Sequence, residues 1–111
     1  MNSAIEAPLN SIRSGRFFRS LVLTTCVAIF ALVALGGVVR VTGSGLGCPD
    51  WPLCHGRIIP PAETEVLIEY SHRLMASGVG VLVLAVLVAA WRSYREKRWI
   101  FVPAILGFLI L

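Results

Sequence analysis

Apolar positions fall into three blocks. Leu21 to Val39 is an uncharged run of 19 residues, long enough at about 1.5 Å per residue to cross a hydrocarbon core of roughly 30 Å. Leu74 to Trp91 is a second such run. Trp99 to Leu111 begins a third that stops after 13 residues, short of the ~20 that a spanning helix needs. Pro49, Pro52, Pro60 and Pro61 stiffen the stretch between the first two blocks and keep it non-helical, since each fixes its own φ and restricts the residue before it. Helix resumes only after Pro61, with Thr64 as N-cap and Glu65 in the first turn.

The pattern divides the chain into a cytoplasmic tail (1–20) that becomes helical near Phe17 and Phe18, a transmembrane helix (21–39), an extracytoplasmic loop (40–63), a second helix that includes a span (64–91), a cytoplasmic loop (92–98) and a partial third span (99–111). The expected fold is an all-α membrane protein: the start of an antiparallel transmembrane four-helix bundle, truncated in the third helix, because backbone in lipid must bond internally. An ending on Gly107-Phe108-Leu109-Ile110-Leu111 inside an apolar segment reads as that of a fragment of a larger protein.

Composition agrees, with 57% apolar and 14% charged residues, far from the usual soluble balance. The net charge of +4 reflects topology rather than nucleic-acid binding. Arg13, Arg16 and Arg19 precede the first span, Arg92, Arg95, Lys97 and Arg98 follow the second, and only Arg40, Arg57 and Arg73 lie between. The excess places the N-terminus in the cytoplasm and the loop outside. The first apolar run exceeds the 7 to 15 residues of a signal-peptide core, so it reads as a retained anchor.

The ionisable residues of the outer region carry the candidate chemistry. Cys48 and Cys54 can close a disulfide most readily in an oxidising space. The pair is either a structural clip, worth about 2 kcal/mol for so short a ring, or a redox couple. Metal binding by Cys48, Cys54 and His55 lacks further ligands. Cys26, inside the first span, reads as a small packing residue. Five glycines between Gly36 and Gly47 match neither phosphate-binding fingerprint and follow no strand, so they read as conformational freedom and close backbone approach.

Glu69 and His72 project from one face of the second helix about a turn apart. His72 stands where the apolar run begins, and a neutral imidazole there can ligate iron; the competing reading is an interfacial histidine bonded to a loop. Glu69 is either a working carboxylate or the partner of Arg73 four residues on, a pairing worth a few tenths of a kcal/mol. Glu-x-x-His also occurs in di-iron bundles, so the motif alone does not separate heme from non-heme iron.

Taken together, Gly36-Gly37-Val38-Val39-Arg40-Val41-Thr42-Gly43-Ser44-Gly45-Leu46-Gly47-Cys48-Pro49-Asp50-Trp51-Pro52-Leu53-Cys54-His55-Gly56 and Glu69-Tyr70-Ser71-His72-Arg73 closely resemble the N-terminal part of heme A synthase, over about residues 21–91. The resemblance implies a membrane enzyme of eight helices in two pseudo-symmetric halves, oxidising the C8 methyl of heme O stepwise, through a hydroxylated intermediate, to the formyl of heme A. By that likeness His72 is an axial ligand of the substrate heme iron, Glu69 the catalytic carboxylate, and Cys48 with Cys54 an outer-face disulfide. The family's C-terminal half carries heme b as cofactor. The chain departs from the family by stopping early, without the partner histidine or the second half, so that alone it is expected to be inactive. Expected partners are heme O and membrane lipid, with heme O synthase or a second copy as candidates, in the bacterial plasma membrane. Two other classes stand beside this one: a membrane thiol:quinone oxidoreductase using Cys48 and Cys54, for which a Cys-x-x-Cys spacing is more usual, and a noncatalytic assembly subunit.

Overall fold

A computed structural model describes residues 3–110, with backbone alone for residues 3–13. Met1, Asn2 and Leu111, the outermost residues of the expected tail and third span, lie outside the described residues, as does the side chain of Arg13. Three α-helices follow in order: α1 (Ser3–Val41), α2 (Thr64–Tyr94) and α3 (Arg98–Ile110), with a single 3-10 turn at Ser44–Leu46. The chain is an all-α membrane protein. Ser14–Val41 and Thr64–Tyr94 are 28 and 31 residues of helix, each long and apolar enough to cross a membrane. The four-helix bundle expected from the sequence requires a helix beyond these three.

Helix α1 starts at Ser3, well before the expected start near Phe17 and Phe18. Once a helix is nucleated, each added residue gains one bond for one residue fixed, so the apolar span propagates into its polar flank. Helix α2 likewise runs three residues past Trp91 to Tyr94, leaving only residues 95–97 to connect it to α3.

The chain divides into two compact units, residues 1–27 with 80–111 and residues 28–79. In the first, the Phe18 and Tyr94 rings meet at 4.8 Å between centroids, and the Lys97 ammonium lies 5.9 Å over the Tyr94 ring. Among the described residues its buried apolar side chains are Val83 and Ala90, beside Thr25. The Thr25 hydroxyl donates to the Leu21 carbonyl at 2.8 Å, which satisfies it within its own helix. Cys26 is a free, exposed thiol, not the buried packing residue expected. Neighbouring positions such as Leu23 and Val27 are exposed as well: this face of α1 is apolar and has no protein against it among the described residues, an arrangement unsuited to water and ordinary in lipid.

The second unit holds the outer parts of α1 and α2 and the loop between them. Its small core is Cys48, Cys54 and Val66, with Tyr70 packed against them.

Candidate functional site

The site begins where α1 stops. Thr42 donates its N–H and its hydroxyl to the Val38 carbonyl at 2.9 and 2.8 Å, and its hydroxyl also meets that of Ser44 at 2.6 Å. Gly43 follows at φ 71°, a left-handed conformation that glycine adopts without strain and that ends helices. At Gly47 the reason for glycine is different. A Cβ there would lie 2.9 Å from the Glu65 carbonyl oxygen and 3.1 Å from the Val66 Cα, so the loop crosses directly on the backbone of α2.

That crossing delivers Cys48 to Glu69. The Cys48 N–H donates to Glu69 Oε2 at 3.0 Å, and Cys48 is joined to Cys54 by a disulfide. Cys48 is 3% and Cys54 0% exposed, so the bridge is covered, as a structural clip would be. Cys54 and Arg57 then exchange two backbone bonds at 3.1 and 3.2 Å. Between them His55 and Gly56 both take positive φ, an unusual conformation for His55, held by Asp50. Its two carboxylate oxygens accept the His55 N–H at 2.6 Å and the Gly56 N–H at 2.7 Å.

Those amides, Gly56 foremost, hold the Asp50 carboxyl below the ordinary carboxylate range. A depressed folded value stabilises the turn above the unfolded value, and that stabilisation is lost as pH falls through the folded one. Amide exchange at His55 and Gly56 is therefore expected to speed up under acid relative to other loop amides, and Asp50→Ala to abolish that pH dependence. An unchanged exchange profile in the variant would refute the role given to Asp50.

On α2, Glu69 and Arg73 form an ion pair at 2.5 Å, with Glu69 6% exposed. Arg73 reaches beyond Glu69: one guanidinium nitrogen donates to the Cys48 carbonyl at 2.5 Å, and another to the carbonyls of Asp50 and, at 3.5 Å, Leu53. Tyr70 adds a bond from its hydroxyl to the Ile58 carbonyl at 2.6 Å. One helix face thus pins the loop through Glu69, Tyr70 and Arg73. Helical spacing by itself predicts Arg73 only as a partner for Glu69. The missed signal was the loop's prolines: they remove N–H donors, so the loop's carbonyls need donors from elsewhere, and a guanidinium has five to give.

The two histidines differ. His55 Nε2 lies 2.9 Å from the Gly47 carbonyl, so that ring is used by the loop. Ser71 and Ser77, flanking His72, bond to carbonyls of α2 itself, and no side-chain hydrogen bond holds the His72 imidazole among the described residues. The half-buried ring lies against α1, its Nε2 3.1 Å from where a Cβ on Gly36 would be. Of the four residues singled out by sequence, Cys48, Cys54 and Glu69 are therefore joined in one cluster, and His72 stands one turn along α2 in the same unit.

The family model of the cytochrome oxidase assembly protein matches residues 19–111. Among curated proteins, the chain is similar to heme A synthase of Bacillus licheniformis, 42% identical over 94 residues that cover 81% of this chain and 30% of the relative. It is 41% identical to heme A synthase of Bacillus pumilus over 95 residues, 81% of this chain and 30% of the relative. With heme A synthase of Bacillus mycoides the identity is 37% over 98 residues, 86% of this chain and 32% of the relative. The chain thus spans about a third of the length of the relatives it matches. No solved structure matches it.

Proposed function

The chain belongs to the cytochrome oxidase assembly protein family, among the heme A synthases, and we propose that it forms the heme-O-binding part of an enzyme that oxidises the C8 methyl of heme O to the formyl of heme A. The observation that carries this reading is the contrast between the two histidines. His55 is committed to the loop, whereas no hydrogen bond among the described residues claims the His72 ring, which leaves it a nitrogen that could ligate heme iron. One turn beyond His72 on the same face stands the small Ala76, which leaves room beside the ring for a flat group.

In this reading the bound heme supplies the iron and the oxidisable methyl group. His72 would hold the iron. Glu69, with one oxygen on the Cys48 amide and the other on Arg73, retains further acceptor capacity on both oxygens and is the carboxylate that takes a proton or balances positive charge as the methyl is oxidised. The disulfide and Arg73 keep the loop over it. The basic residues at the inner ends of the two spans, Arg13, Arg16 and Arg19 on the first and Arg92, Arg95, Lys97 and Arg98 beyond the second, support an N-terminus in the cytoplasm and the loop outside, where a disulfide persists. Heme b as a further cofactor belongs to the same reading. A thiol:quinone mechanism is less well supported, because the covered disulfide offers substrate thiols no access.

Glu69→Gln tests the chemical role. The glutamine keeps a carbonyl oxygen for the Cys48 N–H and removes the charge. In the protein expressed to its full natural length, heme content is expected to hold while heme A formation falls by about 100-fold or more, the usual scale for losing a proton-transfer group. Normal turnover would remove Glu69 from the chemistry.

A further inference from the structure

Gly36 and Gly37 are adjacent residues inside α1, and neither has the positive φ that would by itself call for glycine. In a helix interior each is disfavoured relative to alanine. The surroundings separate them. A Cβ on Gly37 would meet nothing within 4 Å, whereas one on Gly36 would lie 3.1 Å from His72 Nε2 and 3.7 Å from its Cδ2. Only at position 36 is the missing side chain replaced by something, and that something is the edge of an imidazole.

Because no side-chain hydrogen bond orients that ring among the described residues, packing alone decides where Nε2 lies. The wall it packs on is the bare backbone of Gly36. A methyl group there would sit about 0.3 Å inside the 3.4 Å at which ordinary contact begins. The ring would have to move by a similar amount or turn off its rotamer, and either change shifts Nε2. We propose that Gly36 is a positioning residue for His72, a notch in α1 that sets where Nε2 is presented. The inference rests on the reading of His72 as a heme ligand.

The experiment compares Gly36→Ala, Gly37→Ala, His72→Ala and the double variant Gly36→Ala/His72→Ala, each in the protein expressed to its full natural length and purified in detergent. Heme retention and the spin state from the absorption spectrum are read on the loaded protein, and thermal melting on the heme-free protein. Gly37→Ala is expected to match the parent in heme content and spectrum. Gly36→Ala is expected to retain heme about three- to tenfold less well, the scale of an off-rotamer penalty, with a shift from low-spin toward high-spin absorption. In the heme-free protein Gly36→Ala is expected to lower the melting temperature when His72 is present and to raise it when residue 72 is alanine, since only the ring opposes the gain in helix propensity. That reversal can be read even if Gly36→Ala loads no heme at all. Heme retention and spectra equal in Gly36→Ala and Gly37→Ala, or melting shifts at position 36 that ignore residue 72, would overturn the proposal. His72→Ala with full heme content would instead overturn the ligand reading on which it rests.

Discussion

His72→Ala is expected to abolish heme retention at this site while leaving the protein folded. No hydrogen bond holds the ring among the described residues, so removing it strands no polar partner. The pinned loop one turn away keeps Glu69, Arg73 and the disulfide intact. Losing the residue that hydrogen-bonds a metal ligand usually weakens a site 10- to 100-fold, and losing the ligand itself should exceed that. The measurement is heme per protein after purification, followed by the Soret band and by heme A formation in membranes. His55→Ala is the matching control: its ring serves the loop, so heme content should stay at the parent level. Unchanged heme content and heme A production in His72→Ala would sink the assignment.

The second large effect is expected at Arg73. Arg73→Met keeps much of the side chain's length and apolar volume and removes the donors to Glu69, Cys48, Asp50 and Leu53 at once. Glu69 would be left as a buried carboxylate with only the Cys48 amide. Breaking a buried pair from one side costs about 3 kcal/mol, a factor on the order of 100 in a local opening equilibrium. Because the Cys48–Cys54 bridge is covered, a reductant reaches it only when the loop opens. Reduction by dithiothreitol, trapped by alkylation, should therefore run on the order of 100-fold faster in the variant. An unchanged reduction rate would mean that Arg73 does not hold the loop down.

Local physics made part of this legible in the chain itself. Prolines and apolar runs placed the helices, and α2 begins at Thr64, soon after Pro61; the Leu67 N–H donates to the Glu63 carbonyl, so Glu63 rather than the expected Thr64 stands at the cap position. The Glu69–Arg73 pair follows from helical spacing alone. What the sequence did not reveal is long-range approach. The Cys48 amide meets Glu69 across 21 residues, and nothing in either residue names the other. The glycines make the point most clearly. They read alike in sequence, yet Gly43 supplies a left-handed turn, Gly47 admits the α2 backbone, Gly36 admits an imidazole, and Gly37 admits nothing. A glycine announces a missing side chain, and only the fold says which neighbour uses the vacancy.

The pinned loop also bears on how fast this region is made. Its hydrogen bonds with α2 all close within 25 residues of chain: Tyr70 to Ile58 spans 12 residues, Glu69 to Cys48 21, and Arg73 to Asp50 and Cys48 23 and 25. Loop-closure entropy rises only slowly with length, and short separations close quickly. Because all of these partners lie between Cys48 and Arg73, the carboxylate, the guanidinium and the disulfide loop can assemble without any residue later in the chain than Arg73.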